Sequence, residues 1–225
     1  MSRFSFGLYP IVAGGVNIEW LGTVSSSVND SLFTFVGAPY GTAAASREIF
    51  ALVTWNQTAA RTNTGLTFDG NAAVAESQFS AGVYSGMKLY HLAIPTGTSG
   101  TIVTTFGFGV TDCTIGIFRV TGRATPDAVA TSTKSGSAAP GTSVNLGGLT
   151  VPSGGFVLSG GTIRATSAVI SVAGLGLNLD DTVLTDFQHY YGNSGPTPGG
   201  ASGSVVWTYN QSVIALAGAY CFGVT

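Results

Sequence analysis

The side chains most able to do chemistry are few, and the two histidines, His91 and His189, come first among them. His91 stands between Tyr90 and Leu92 inside an apolar, strand-like run. A Ser-His-Asp triad needs a histidine at a cleft, where its ring can accept the proton of the nucleophile. The surroundings of His91 therefore disfavour a nucleophilic triad.

The acidic residues offer two further kinds of site, a calcium loop and a pair of glycosidase carboxylates. Asn178, Asp180 and Asp181 fall within one predicted turn, where adjacent aspartates are more often turn formers than calcium ligands. A glycosidase uses two catalytic carboxylates, and four acidic residues are candidates: Glu19, Glu48, Asp69 and Glu76. Their spacing in the sequence does not mark any two of them as a pair. We therefore expect no catalytic residue, no metal, no cofactor and no enzymatic activity.

Two aromatic groups are the remaining candidates for binding. Tyr190 and Tyr191 precede the loop 192–195 and could either stack on a sugar ring or close the end of the core. The first 16 residues are interpreted as an arm that lies along the protein body or docks onto a neighbouring chain. Its apolar contacts would come from four residues: Phe4, Phe6, Leu8 and Tyr9.

The composition excludes several classes of protein. Only 8 residues are basic and 10 acidic, so the surface expected for this mass carries about one charge per 500 Å². A chain without a basic cluster cannot bind nucleic acid by neutralising phosphates. The longest apolar segments, 168–179 and 213–224, are broken by Gly and Ser, so no membrane span is expected. A low density of surface charge also weakens the electrostatic repulsion between two molecules of this chain, which favours a homo-oligomer.

The elements that must position these residues are short strands. Runs rich in Val, Ile, Thr, Phe and Tyr recur between turn residues, and no segment shows a helical apolar stripe. Val205, Trp207 and Tyr209 alternate with polar or smaller residues, which places their side chains on one face. Cys113 and Cys221 lie in such runs and are expected to be buried thiols. The predicted strands are 17–24, 32–36, 49–55, 66–69, 87–94, 101–106, 114–120, 156–159, 169–172, 184–191, 204–209 and 213–222.

The second half of the chain echoes the first. Phe50-Ala-Leu-Val is followed about 106 residues later by Phe156-Val-Leu-Ser, and the two histidines fall at similar places in the pattern. A half-sandwich cannot bury its apolar face alone, so two copies should pair. We therefore predict an all-β, antiparallel, jelly-roll-like sandwich over residues 17–225, with a pseudo-two-fold repeat and halves of about 17–122 and 123–225. Residues 124–150 would supply the connection and edge strands of the second half.

Several strand sequences resemble those of β-sandwich proteins from the virions of tailed bacteriophages. The resemblance runs from about Asn17 to the C-terminus and rests on four segments: Ile18-Glu-Trp-Leu-Gly-Thr-Val, Arg47-Glu-Ile-Phe-Ala-Leu-Val-Thr-Trp, Leu89-Tyr-His-Leu-Ala-Ile-Pro, and Asp112-Cys-Thr-Ile-Gly-Ile-Phe. It implies a structural role as a head decoration protein, a head fibre or a tail-associated module. It carries over no catalytic residue.

The leading hypothesis is a capsid decoration protein, located in the virion after assembly in the bacterial cytoplasm. Its partners would be the major capsid protein or other virion proteins, bound by the arm and by a homo-oligomer, with a trimer favoured because lattices are rich in three-fold positions. The alternative is a receptor- or glycan-binding module of a fibre, using Tyr190 and Tyr191.

Overall fold

The computed structural model describes residues 15–81, 84–123, 131–185, 187–197 and 200–223, and these form fifteen β-strands and no helix. The strands are β1 (Asn17–Ser26), β2 (Asp30–Pro39), β3 (Glu48–Asn56), β4 (Asn63–Phe68), β5 (Asn71–Ala72), β6 (Val74–Ala81), β7 (Ser85–Ala93), β8 (Ser99–Val110), β9 (Asp112–Thr121), β10 (Thr131–Val151), β11 (Phe156–Ile163), β12 (Ile170–Ala173), β13 (Asn178–Leu184), β14 (Gln188–Asn193) and β15 (Ala201–Phe222). No helix in this part of the chain is long and apolar enough to cross a membrane.

The first half forms a sandwich of two antiparallel sheets. Sheet A has the strand order β1-β9-β3-β7-β6, and sheet B has the order β2-β8-β4-β5. The central strand β3 is buried along its whole length. Its odd-numbered residues, such as Ile49 and Trp55, pack in one core with Phe33 and Phe68 of sheet B. The predicted central strand of a packed sheet is therefore confirmed.

Sheet C is built from the second half and folds over to enclose a core of its own. Its order is β10-β15-β11-β14-β13, with β12 pairing separately with β15. The early part of β15 pairs with β12, whereas its later part pairs with β11. Trp207, from the early part, shares one core with Ala217, Val157 and Tyr190, because sheet C turns back on itself. Shifts of register near Gly141 of β10 accompany this turn.

A third core joins sheet A to the inner part of sheet C. Phe50 and Leu52, the even-numbered residues of β3, pack in it with Phe156 and Leu158 of β11. The order of layers is therefore sheet B, sheet A, the inner part of sheet C and its outer part. This arrangement confirms the predicted all-β, antiparallel sandwich class.

Some predicted elements need correction. The predicted strand 184–191 is interrupted, since β13 ends at Leu184 and β14 begins at Gln188, and β6 was not predicted. The predicted strands 204–209 and 213–222 are one continuous strand, β15. Asn178–Leu184 is a strand, so the turn predicted at Asn178, Asp180 and Asp181 is wrong. Val16, at the end of the predicted arm, is buried in the core between sheets A and C.

Candidate functional site

The chemistry-bearing side chains gather in two buried clusters between the halves. The Asp112 cluster contains Thr54, Asn56, Asp112, Thr185, His189 and Tyr191. The His91 cluster contains Glu48, Glu76, His91 and Arg123. Strand β3 contributes to both, because Glu48 begins it and Asn56 ends it. Glu48 and Asn56, and with them the two clusters, therefore lie about 26 Å apart along this strand.

Asp112 accepts hydrogen bonds from both halves of the chain. The backbone N–H of Asn56 donates to its Oδ1 at 2.7 Å, and the Thr185 hydroxyl donates to its Oδ2 at 2.6 Å. His189 Nε2 lies 3.3 Å from the same Oδ2. Burial alone would raise the pKa of Asp112, but the bonds from His189, Thr185 and Asn56 outweigh it and lower that pKa. A carboxylate held in this way fastens β9 to β14.

The Asp112 cluster has the connectivity of a nucleophile, a base and an orienting acid. Thr54 Oγ1 lies 2.8 Å from His189 Nδ1, and the opposite ring nitrogen faces Asp112. Hydroxyl nucleophiles are activated by this arrangement when a substrate can reach them. Here Thr54, Asp112 and His189 all have 0% exposure, and the hydroxyl of Tyr191 lies 2.6 Å from Thr54 Oγ1. The interior position makes the cluster a structural connection between the halves.

His91 is held between two carboxylates. Its Nδ1 bonds to Glu48 and its Nε2 lies 3.1 Å from Glu76, while Arg123 donates to Glu48 at 2.7 Å. Burial opposes a charge on the ring, but the hydrogen bonds to Glu48 and Glu76 and their negative charges outweigh it, so the pKa of His91 is raised. Phe50 stacks on the imidazole with ring centroids 5.0 Å apart. His91 is therefore a core residue, 1% exposed.

The two histidines do not occupy matching positions in the halves. His91 lies opposite Phe50, near the start of β3, whereas His189 lies opposite Thr162, near the end of β11. Sequence reasoning missed the partners of His189, because residues 54, 112 and 189 are brought together only by the packing of sheet A on sheet C.

Tyr190 and Tyr191 are both fully buried and present no ring face to a sugar. The Tyr190 hydroxyl donates to the Leu216 carbonyl at 2.7 Å, in the core of sheet C. The Tyr191 ring stacks on Trp20 at 5.7 Å, in the core between the halves. Glycan stacking at these tyrosines is therefore wrong, and the alternative that they close the core agrees with the structure.

The other predicted site residues are dispersed. Among the four candidate carboxylates, only Glu48 and Glu76 meet, and His91 stands between them. The arm residues Phe4, Phe6, Leu8 and Tyr9 lie outside the described residues. Within the described ranges no group of three or more His, Cys, Asp or Glu side chains is suited to a metal ion.

A cleft of about 490 Å³ lies beside the turn at Asp69. Asn71, Thr96 and Ser99 line it with polar groups, and Phe68 is 99% buried beneath it. Asp69 already accepts the backbone N–H of Thr101 at 2.6 Å. The cleft thus lacks the exposed aromatic face on which sugars stack.

Among the described residues the outermost sheet faces carry few charges, although Asp30 at the start of β2 is exposed. Outward-facing residues of sheet B include Leu32, Thr34 and Val36, and outward-facing residues of the outer part of sheet C include Val206 and Thr208. Among the residues whose burial the structure describes, four charged ones are instead buried: Arg47, Glu48, Asp112 and Arg123. Burial of these groups makes the charge on the surface thinner than the composition alone suggested.

Comparison with protein-family models found no family that matches this chain. Comparison with curated proteins found no significant similarity.

Proposed function

We propose that this chain is a structural protein of a tailed-bacteriophage virion, specifically a capsid decoration protein that binds the head surface. The observation that carries this proposal is the combination of enclosed polar clusters with outer sheet faces that carry few charges. A protein of this kind acts by covering and bridging surfaces. The surface would be that of the phage head, because the strand sequences of the chain resemble those of virion β-sandwich proteins.

The strand orders support an internal repeat of the jelly-roll type. The run β1-β9-β3-β7-β6 in sheet A corresponds, strand by strand, to β10-β15-β11-β14-β13 in sheet C. The run β2-β8-β4 in sheet B likewise corresponds to the later part of β10, the early part of β15, and β12. Strand β1 lies against β13 and β10 lies against β6, as a two-fold relation between the halves requires. With such a repeat the protein would be a rigid body whose two ends have similar structures.

Docking to the major capsid protein or other virion proteins is assigned to the N-terminal arm. Phe4, Phe6 and Leu8 alternate along the sequence and would present one apolar face if the arm extended along a partner. A homo-oligomer would link several such contacts and raise the effective affinity without new chemistry. A trimer remains the favoured order, because three-fold positions are abundant in capsid lattices.

The first test is the copy number of this chain in purified virus particles, measured by quantitative mass spectrometry against the major capsid protein. A ratio close to one supports decoration. A few copies per particle would contradict decoration and favour a fibre or tail. Absence from the particle would overturn the virion role.

The arm is tested by deleting residues 2–14, which leaves Val16 in its core position. Deletion should abolish binding to particles while the far-UV circular dichroism of the protein stays unchanged. Retention of binding by the folded truncation would contradict docking through the arm.

A further inference from the structure

The cleft beside the turn at Asp69 joins an acidic group to an apolar wall. Its volume of about 490 Å³ lies in the range of small-molecule sites. Leu92, Ile94 and Pro95 form the apolar wall, and Asp69 lines the cleft from the hairpin that connects β4 to β5. Among the described residues that line it, Asp69 is the only charged one. We call this concavity the Asp69 cleft.

A buried arginine fixes the backbone of the apolar wall. Arg47 is 1% exposed and donates hydrogen bonds to the carbonyls of Ile94 and Thr96, which belong to the segment that forms the wall. It also donates to the carbonyls of Tyr40 and Gly41, so its guanidinium is enclosed by four carbonyl groups and does not line the cleft. A ligand would therefore meet a preformed wall and no arginine donor.

The polar side chains of the Asp69 cleft offer mainly hydrogen-bond acceptors. The amide nitrogen of Asn71 donates to two backbone carbonyls, which leaves its Oδ1 as an acceptor. The carboxylate of Asp69 accepts the backbone N–H of Thr101 at Oδ1 and has further lone pairs on its oxygens. The hydroxyls of Thr96 and Ser99 can accept as well as donate. A ligand that suits this set must bring donors.

The turn explains the backbone at Asp69 but not its charge. Asp69 and Gly70 have φ angles of 50° and 82°, as in the two-residue hairpin turns that favour Asp-Gly and Asn-Gly alike. The turn therefore needs no carboxylate. No basic side chain in the described ranges forms an ion pair with Asp69. Its negative charge is available to a cation from outside the chain.

A primary alkylammonium group matches both parts of the cleft. Its three N–H donors suit the acceptors, and its methylene stem suits the apolar wall. A metal ion would leave the apolar wall unused, and an anion would be repelled by Asp69. A guanidinium pairs best with both oxygens of a carboxylate, whereas Oδ1 of Asp69 already accepts the N–H of Thr101.

We propose that the Asp69 cleft binds a primary alkylammonium group, with the ammonium at Asp69 and the alkyl stem along Ile94 and Pro95. Such a group is the side chain of a lysine on a partner protein, or part of a free amine. The proposal goes beyond the capsid role and does not depend on it.

The experiment is an NMR titration of the full, isotope-labelled chain at pH 7 and low ionic strength. Nα-acetyl-lysine N-methylamide presents a lysine side chain with no other charge, and butylammonium presents a free amine. They should shift the backbone amides of residues 68–71 and 94–99, with dissociation constants of about 1–10 mM. Binding of both probes assigns the site to lysine side chains as well as free amines, and binding of butylammonium alone assigns it to free amines.

Two controls separate the charge from the apolar wall. Nα-acetyl-norleucine N-methylamide has a hydrocarbon side chain without the ammonium and should bind at least about threefold more weakly than the lysine derivative. Asp69→Asn removes the charge, keeps a residue that the turn accepts, and should weaken binding of both amines by a similar factor. Asp30→Asn should bind like the parent, because Asp30 is also exposed and accepts a backbone N–H but lies at the start of β2. Circular dichroism checks the fold, and if Asp69→Asn unfolds, added salt should weaken amine binding to the parent instead.

Four results would overturn the proposal. These are no saturable shift by either amine up to about 50 mM, shifts confined to amides outside the cleft, equal binding of the norleucine and lysine derivatives, and equal binding by the folded Asp69→Asn variant and the parent. Because the titration uses the purified chain alone, a negative outcome leaves the virion role standing. Absence of the chain from particles would conversely leave the amine site standing.

Discussion

Removal of the Asp112 carboxylate should loosen the connection between the two halves of the chain. In Asp112→Ala the backbone N–H and side-chain amide of Asn56 lose their acceptor inside the core. The Thr185 hydroxyl keeps an alternative acceptor, since the Phe187 carbonyl lies 3.2 Å away. Each buried donor left without an acceptor costs about 1–3 kcal/mol. We therefore expect the free energy of unfolding to fall by about 3–5 kcal/mol, as for other broken buried polar contacts.

Urea unfolding at pH 7 measures this loss through tryptophan fluorescence. Trp55 and Trp207 are buried in different cores and report on both halves. Asp112→Asn keeps one acceptor oxygen and should lose about 1–2 kcal/mol. Asp30 is exposed and accepts only from neighbouring backbone N–H groups, so Asp30→Ala should cost less than about 1 kcal/mol. The reasoning is refuted if Asp112→Ala matches the parent within about 0.5 kcal/mol, or if Asp30→Ala loses as much.

Three further outcomes are expected. Because the pKa of His91 is raised in the folded protein, protonation of His91 stabilises the fold fully below the pKa of the unfolded chain, about 6.5. This stabilisation is lost as the pH rises through the pKa of the folded protein, so the free energy of unfolding should fall by up to about 1.4 kcal/mol per pH unit. In His91→Gln, urea unfolding at several pH values should show a flatter pH dependence. Gly116→Ala should lower the free energy of unfolding in urea by about 1–3 kcal/mol, because the new Cβ would lie 2.5 Å from the Tyr191 ring. The control Gly147→Ala should leave the stability unchanged, because its Cβ would have no atom within 4 Å. Equal losses in the two variants would contradict the packing argument. Burial raises the pKa of the Cys113 thiol, so maleimide should modify Cys113 only after the protein unfolds. Peptide mass spectrometry measures the labelling, and rapid modification of Cys113 in the native protein would contradict its burial in the core.

Local alternation of residue types was sufficient to predict most of the strands. Val205, Trp207 and Tyr209 are buried while Thr208 is exposed, as their period of two required. Strand β10 is rich in Ser, Thr and Gly and lies at one edge of sheet C, where it was predicted only as connection and edge. Such a sequence carries little apolar periodicity, so its pairing with β15 could not be predicted from the residues of β10 alone.

The candidate sites were much less predictable. Tyr190 and Tyr191 sit beside a glycine-rich loop, and only the layers on both sides of β14 show that each ring is enclosed in a core. The pattern of residue types within one strand does not determine which sheet packs against that strand.

The sequence by itself determined the strand-forming character of the chain, the side-chain alternation along its strands, the thin charge and the class of fold. These properties depend on neighbouring residues and on composition, which are present before any folding. The tertiary structure decided that Thr54, Asp112 and His189 come into contact and that all three are buried. Those outcomes depend on contacts between residues more than 50 positions apart, whose geometry exists only once the sheets have stacked.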